Sequence, residues 1–521
     1  MAGRVAMYLS FFITCHFIPA KKLYELEAHY IFHHPYRGVT MSPKVAFYTL
    51  GCKVNYYDTE ALKSDFRREG FKIVDFKDKA DVYVVNTCTV THQADRKSRQ
   101  YLRRAKRRNP QALVVALGCY VQTNPDGIAS LPEVDLLLGT MGHSSLPQLL
   151  KRKLAGESVY CPVEPYGKKA IFEERPFLPE QGRTRAFLKI QEGCNQFCSY
   201  CIIPFARGPL RSLPLSEGKK YLQEISRAGY KEVVLTGIHL GLYGTDLVPR
   251  TSLAAFLEEA ASIEGLARIR LSSIEPTDLS DELIGIIQAQ PKICRHLHIP
   301  LQSGDDTILK KMGRPYDSAT YATLLKKLRD TLPDLAVSSD LMVGFPGEDD
   351  VHFRNSLQFV RDCSFSRLHV FKYSLRPGTR AAAMAPQVSP QLKEKRSREM
   401  SALGEELLTT FQQKFLGRKM DVLFEKELKG SLVQATQNDA AQQPIQKKTG
   451  KEDDRQPAGK KAKAGPGGRS GEHLRDRFLE GLTSNYLRVR ALAPPGKWRG
   501  KIGRVHLTKN CRSYLQGIFI T

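Results

Sequence analysis

Six strand-like runs, each followed by a helical stretch, occupy the middle of this chain: FLKIQEGC, EVVLTG, RIRLSSIEP, HLHIPLQSG, VSSDLMVGFPGE and HVFKYSLRPGT. Strands that alternate with helices have to be joined by crossovers, so they align in parallel. That alternation predicts a partial or complete barrel of parallel strands over 185–413, with its chemistry at the strand ends. An earlier alternation, from VAFYTL through DVYVVNT to ALVVAL, predicts a separate parallel sheet over 41–154. Residues 155–184 read as a linker between the two. With 521 residues, the chain is long enough for about two to four domains.

Beyond 413 the pattern changes. A strand, MDVLFE, is followed at 434–471 by a stretch rich in Gln, Gly, Lys and Pro, in which large apolar residues are scarce. Such a segment cannot offset the entropy of ordering and is expected to be disordered. Strand-like segments resume with SNYLRVRAL, KIGRVHL and GIFI, so 414–521 reads as a small β-barrel with a long insertion. Its last part, from 471, carries ten Lys or Arg against three acids. At the other end, Arg4 and the apolar run from Val5 to Phe17 have the outline of a signal peptide. The reading preferred here begins the folded core at Met41, with 1–40 an extension outside it.

The net charge is +25, which makes nucleic acid the first partner to consider, because Lys and Arg release counterions from a phosphate backbone. The run RKSRQYLRRAKRR, Arg96 to Arg108, holds eight cations and no acid, and it is read as a phosphate-contacting helix face. No stretch reaches the ~18 apolar residues of a spanning helix, so neither a membrane partner nor a membrane location is expected. Eleven dispersed cysteines fit a reduced, cytoplasmic protein better than a disulfide scaffold.

Six of those cysteines stand in contexts that suit metal. Cys194, Cys198 and Cys201 lie within EGCNQFCSYCIIPFARG, and three thiolates for a four-iron cluster leave one iron without a protein ligand. A zinc site completed by a nearby His is the alternative. Cys52, Cys88 and Cys119 each follow a strand-like run of the first sheet, where the carboxyl edge of parallel strands lines a ligand crevice. Cys15, Cys161, Cys294, Cys363 and Cys511 read as buried or incidental thiols.

From Cys52 to the tail, these strings resemble the radical S-adenosylmethionine methylthiotransferases. The C-x-x-x-C-x-x-C spacing marks the superfamily. GCKVNYYDTE (51–60), NTCTVT (86–91) and GCYVQ (118–122) are similar to that family's three-cysteine amino-terminal domain, and the tail from Gly417 resembles the RNA-binding TRAM module. TGIHLG (236–241), RLSSIEP (270–276) and HVFKYSLRPGT (369–379) look most like the branch acting on threonylcarbamoyladenosine in tRNA. The resemblance implies an α/β protein made of a flavodoxin-like sheet, a partial TIM-type barrel and a TRAM-like β-barrel.

The resemblance further implies two four-iron clusters, catalytic at Cys194, Cys198 and Cys201 and auxiliary at Cys52, Cys88 and Cys119. S-adenosylmethionine would be bordered by Tyr200 and received by Thr236 and Gly237, with Ser273, Glu275 and Gln302 in reach of its ribose or carboxylate. The glycines of VGFPGE (343–348) would allow close backbone approach. The substrate would be a tRNA anticodon loop, and the electron donor a low-potential protein such as flavodoxin or ferredoxin. The sulfur donor stays open. Branches acting on isopentenyladenosine or on a ribosomal-protein aspartate are alternatives, as is a non-catalytic iron–sulfur RNA-binding protein.

Overall fold

The first sheet is built from β1 (Lys44–Thr49), β2 (Lys72–Val74), β3 (Val82–Thr87), β4 (Leu113–Gly118) and β5 (Leu136–Leu138). Every pairing is parallel and the order is β2-β1-β3-β4-β5. All six residues of β3, VYVVNT, are buried, as a central strand covered by helices on both faces requires. The helix Lys53–Arg68 carries the chain from β1 out to β2, and His92–Arg108 carries it from β3 to β4. This flavodoxin-type order reverses direction between β1 and β3, the place where such sheets open a crevice. The computed structural model describes residues 42–167, 170–175, 183–429 and 477–520. The extension 1–40 and the insertion 434–471 lie outside the described residues.

The second body holds β6 (Arg185–Lys189), a short ribbon of β7 (Gln191–Glu192) with β8 (Arg211–Ser212), then β9 (Glu232–Thr236), β10 (Arg268–Leu271), β11 (His296–His298), β12 (Ala336–Val343) and β13 (Arg367–Lys372). Two parallel three-stranded sheets, β10-β9-β6 and β11-β12-β13, are joined by the parallel bridges Ile269 to Ile293 and Ser273 to His298. The result is an arc of six parallel strands in chain order. Leu188, Val233, Leu235, Ile269, Leu297 and Val337 bury the core between strands and helices. Five of the helices start on these side-chain caps: Ser252, Ser280, Asp317 and Ser389 each accept a backbone N–H, and Asp349 forms a capping box with His352. Each such cap stabilises by about 1 kcal/mol. Along β13, Leu368 and Val370 pack on the core, so Arg367, His369 and Phe371 alternate onto the opposite, exposed face.

The tail forms a closed barrel of β14 (Lys419–Lys429), β15 (Arg477–Thr483), β16 (Arg488–Leu492), β17 (Ile502–Asn510) and β18 (Leu515–Phe519), in the order β14-β15-β16-β18-β17. Lys429 is register partner to Arg477, so the chain leaves and re-enters the barrel at one point. The tail seals the foot of the strand arc. Arg268 donates to the carbonyls of Leu482 and Asp421 at 2.9 and 2.7 Å, and the Tyr486 ring stacks on His296 at 4.5 Å.

Between the first sheet and the arc, the described part of 155–184 has no helix or strand, yet it runs as a packed strap. Arg175, 5% exposed, pairs with Glu173 at 2.8 Å and with Asp65 at 3.7 Å. Among the described residues, no helix is long and apolar enough to cross a membrane.

Candidate active site

Cys52 caps the helix after β1, Cys88 follows β3, and Cys119 opens the helix after β4. Three adjacent strands thus deliver three thiols to one edge, at the reversal of the sheet. Gly51 and Gly118, both at φ +97°, make the turns possible. A Cβ at Gly51 would stand 3.0 Å from the Cys88 sulfur, so only glycine lets the two turns approach. Asn55 ties the edge together, donating from Nδ2 to the carbonyls of Leu50 and Thr87 at 2.8 and 3.0 Å. The three sulfurs lie within electrostatic reach of one another. Burial pushes the Cys88 thiol up to about 12. It also raises Cys119, against the pull of Arg207.

Cys194, Cys198 and Cys201 sit on the loop between β7 and the helix Ile203–Arg207. Gly193, at φ +73°, allows the loop to fold onto Pro209, whose carbonyl oxygen a Cβ would meet at 1.9 Å. The far side is pinned by Ser199, which donates from N to Met312 O and from Oγ to Lys311 O, both at 2.8 Å. Arg314 donates to the Cys198 sulfur at 3.3 Å and also to Glu275. His239 lies 3.5 Å by Nδ1 from the Cys194 sulfur, and its Nε2 meets Asp278 at 2.8 Å. Burial would lower the His239 pKa, but the bonds to Asp278 and Cys194 prevail and raise it to about 10. Burial lifts the Cys201 thiol to about 12, and Cys198 rises for the same reason against Arg314.

These donor sets fit thiolate-bound iron–sulfur clusters. All six thiols are free of disulfides, and each trio has an arginine aimed at one sulfur. Hydrogen bonds to cluster sulfurs are a standard means of tuning such centres. Among the described residues, no three His, Cys, Asp or Glu side chains converge tightly enough to grip one ion. Cubane ligands bind different irons, so they stand further apart than the ligands of a lone zinc.

The other sequence candidates take varied places. Tyr200 is near Cys198, Cys201, Arg314 and Glu275, and burial raises its hydroxyl well above the ordinary tyrosine value. Thr236 ends β9 and is buried. A Cβ on Gly237 would lie 2.7 Å from Gln191 Oε1. Ser273 bridges to His298, and Gln302, at φ +69°, bridges to Leu341. Glu275 is engaged by Arg314. On the basic helix, Arg103, Arg96, Lys97, Arg104 and Arg107 are all exposed; Arg103 also pairs with Glu133 at 3.6 Å, and Arg108 donates to the Lys77 carbonyl at 2.7 Å. Cys294 and Cys363 are buried, Cys161 and Cys511 half-buried, and Cys15 lies outside the described residues.

Sequence reasoning assigned no role to the charges between the two trios. Lys189 bridges Asp58 and Glu192 at 2.7 and 2.6 Å, and Arg207 bonds the same two carboxylates, Asn55 and, from Nε at 3.2 Å, the Cys119 sulfur. Burial opposes the ionised Asp58, but Lys189 and Arg207 hold its carboxyl well below the usual range. The next residue, Gly208, accepts through its carbonyl from the Cys194 amide at 3.1 Å. A path therefore runs from Cys119 through Arg207 and Gly208 to Cys194, linking the two trios. The only hint in the sequence was the RG that closes IIPFARG.

Two family models match the chain: the uncharacterized protein family UPF0004 over residues 44–139 and the radical SAM superfamily over 188–360. The chain is 44% identical over 385 residues to the threonylcarbamoyladenosine tRNA methylthiotransferase MtaB of Bacillus subtilis, covering 74% of this chain and 85% of that one. It is 34% identical to the tRNA-2-methylthio-N(6)-dimethylallyladenosine synthase of Clostridium tetani, covering 73% and 85%. Among solved structures, the radical S-adenosylmethionine methyltransferase TsrM of Kitasatospora setae shares the fold at a TM-score of 0.51 and 16% identity, over 66% of this chain and 77% of that one. S-adenosylmethionine and iron–sulfur chemistry come with this membership. The chain belongs to the radical S-adenosylmethionine methylthiotransferase family, is MtaB-like within it, and is an enzyme that transfers a sulfur group.

Proposed function

We propose that this enzyme adds a methylthio group to carbon 2 of N6-threonylcarbamoyladenosine at position 37 of tRNA, in the anticodon loop. The observation that carries the reading is the path from Cys119 through Arg207 and Gly208 to Cys194, which sets two three-thiol sites against each other across one domain junction. The choice of base is supported by identities of 44% and 40% to enzymes named for threonylcarbamoyladenosine. Those named for dimethylallyladenosine reach 35%, and a ribosomal protein uS12 methylthiotransferase from Lachnoclostridium phytofermentans reaches 34%.

In this reading Cys194, Cys198 and Cys201 hold one four-iron cluster, and Cys52, Cys88 and Cys119 hold a second. When bound, the clusters and S-adenosylmethionine would supply a carbon radical able to remove hydrogen from an adenine carbon, and a place at the auxiliary cluster to hold the sulfur that replaces it. Arg314 and Arg207 orient one thiol of each trio and place positive charge where thiolates gather. Tyr200, Thr236, Gly237, Ser273, Glu275 and Gln302 position S-adenosylmethionine at the strand ends. A flavodoxin or ferredoxin serves as electron donor, and the enzyme works in the cytoplasm on tRNA. An unpaired anticodon loop can present its base to such a cleft at little unstacking cost.

Mass spectrometry of tRNA nucleosides tests the reading. Cells lacking the gene should lose the methylthio adduct of threonylcarbamoyladenosine and regain it with the wild-type chain but not with Cys194→Ala. Loss confined to an isopentenyladenosine adduct, or to a ribosomal-protein aspartate, would overturn it.

A further inference from the structure

The loop that carries Cys194, Cys198 and Cys201 turns two aromatic rings outward. Phe197, between two of the thiols, is 52% exposed, and Phe205, on the short helix that follows, is 51% exposed. Their rings meet edge to face, with centroids 6.0 Å apart. Phenylalanine is ordinarily a core residue, so two such rings in contact on the surface mark a place where something docks.

Three segments meet around this pair, and none of them carries an acid. Ser199 ties the loop to the helix Asp306–Met312 and accepts from the Ala381 amide at 2.8 Å, while Arg380 donates to the Phe197 carbonyl at 3.0 Å. The runs 193–216, 307–316 and 373–389 contain no Asp or Glu. Of their cations, Arg207, Arg211, Arg314 and Arg376 are buried and bonded within the protein, whereas Lys310, Lys311 and Arg380 are exposed. A Cβ on Gly347 would stand 2.7 Å from Lys311 Nζ, and the acids that follow Gly347 are already committed. Glu348 and Asp350 pair with Arg396 at 2.9 and 2.7 Å, and Asp349 caps its own helix. The patch is aromatic at its centre and basic at its edge.

We propose that this patch is where the electron donor docks, and that the donor is a protein of acidic surface carrying one low-potential electron. The inference rests on the proposed function, in which Cys194, Cys198 and Cys201 hold a cluster, and deepens it by placing the donor. The transfer moves one electron and no proton: the carrier is oxidised by one and the cluster is reduced by one. Such a transfer needs close approach, and Phe197 puts exposed surface one residue from a cluster ligand. Electron-transfer complexes are small and transient, so two rings and three cations suffice, and opposite charge speeds the encounter. RNA is also anionic, but successive bases stack on aromatic faces, and rings inclined at 75° cannot both lie flat beneath neighbouring bases.

The test compares two reductants of the reconstituted enzyme: dithionite, small enough to need no docking site, and flavodoxin kept reduced by NADPH and its reductase. Deoxyadenosine formed from S-adenosylmethionine without tRNA is the readout, so the choice of base does not enter. Phe205→Ser, and separately the pair Lys310→Glu with Lys311→Glu, should raise the KM for flavodoxin about tenfold and leave iron content and the dithionite rate as in wild type. Phe205→Tyr should restore the KM. Added salt should raise the wild-type KM, and should raise it less in the lysine pair. Equal losses with both reductants, or an unchanged KM for flavodoxin, would overturn the inference; weakened tRNA binding with an unchanged KM would assign the patch to RNA. Should Phe205→Ser lose iron, the lysine pair carries the same comparison. No deoxyadenosine from wild type with dithionite would instead refute the cluster assignment beneath it.

Discussion

Arg207 Nε donates to the sulfur of Cys119 at 3.2 Å, so a side chain from the helix that follows the Cys201 loop holds a thiol of the other domain. The guanidinium is 1% exposed and shares Asp58 and Glu192 with Lys189. Removing one member of such a buried group strands the others, at a cost of about 3–5 kcal/mol. Arg207→Met is expected to lower the unfolding midpoint and to loosen the Cys119 site while the barrel thiols keep their iron. Arg207→Lys keeps the charge but cannot form the fork, so it should recover part of the stability and little of the Cys119 site. Iron content and thermal unfolding of both variants, measured anaerobically, check this; identical iron content in all three proteins would show that the bond does not support the site.

Metal content separates the two trios. Two four-iron clusters amount to about eight irons per chain, and Ala at Cys194, Cys198 and Cys201 together should leave about half. Ala at Cys52, Cys88 and Cys119 should also halve the iron, yet spare reductive formation of deoxyadenosine while abolishing thiolation. Zinc in place of iron after anaerobic purification would refute the cluster assignment.

The fold was legible because alternation is a strong signal. Strands such as VVNT and EVVLT are continuous apolar runs ended by a polar residue, and six such units could form little other than a parallel arc. The positions of Cys52, Cys88 and Cys119 after strand runs were legible for the same reason. What could not be read was pairing across domains. Asp58 looks like an ordinary helix acid, Lys189 an ordinary strand residue and Glu192 a loop residue; they meet only because two sheets dock, and no local period encodes that docking. Arg103 and Arg108 teach the converse. Both belong to an uninterrupted basic run, but Glu133 and the Lys77 carbonyl, supplied by neighbouring segments, occupy them. Residues 155–184 have linker composition, and the packing of their described part depends on Arg175 finding Asp65 far earlier in the chain.

Glu232 should make the seat of the tail acid-sensitive. It is fully buried among Arg270, Arg268 and Arg185. Burial opposes its charge, but the arginines prevail and lower its pKa. A carboxyl lowered in the folded state contributes stability above its unfolded value, about 4.3, and loses it as pH falls through the native value. Stability should therefore decline below about pH 4 in wild type, with a shallower slope in Glu232→Gln, which is less stable at neutral pH by about 3–5 kcal/mol. Denaturant unfolding across pH measures both; parallel profiles would mean that other carboxylates govern the acid limb.

The basic helix His92–Arg108 bears on how tRNA is held. Thr91 caps it, and Ser98, Leu102 and Ala105 bury one face, leaving Arg96, Lys97, Arg103, Arg104 and Arg107 exposed. Arg103 and Arg108 are partly committed to protein, so phosphate contact should fall chiefly on the other four. Each lost phosphate contact lowers the slope of log affinity against log salt by about one. Changing the four to Gln should weaken binding across all tRNAs alike and flatten that slope, because fewer counterions are released. The pair Arg103→Gln and Arg108→Gln should change the slope less and stability more. Cleavage of S-adenosylmethionine without tRNA should be the same in the four-site variant, since the helix is bonded to the arc through His92 and Asp95 rather than through any of the four. Binding across a salt series distinguishes the cases: an unchanged slope in the four-site variant would return the helix to the status of a solvated face and move the phosphate contacts to the basic tail barrel.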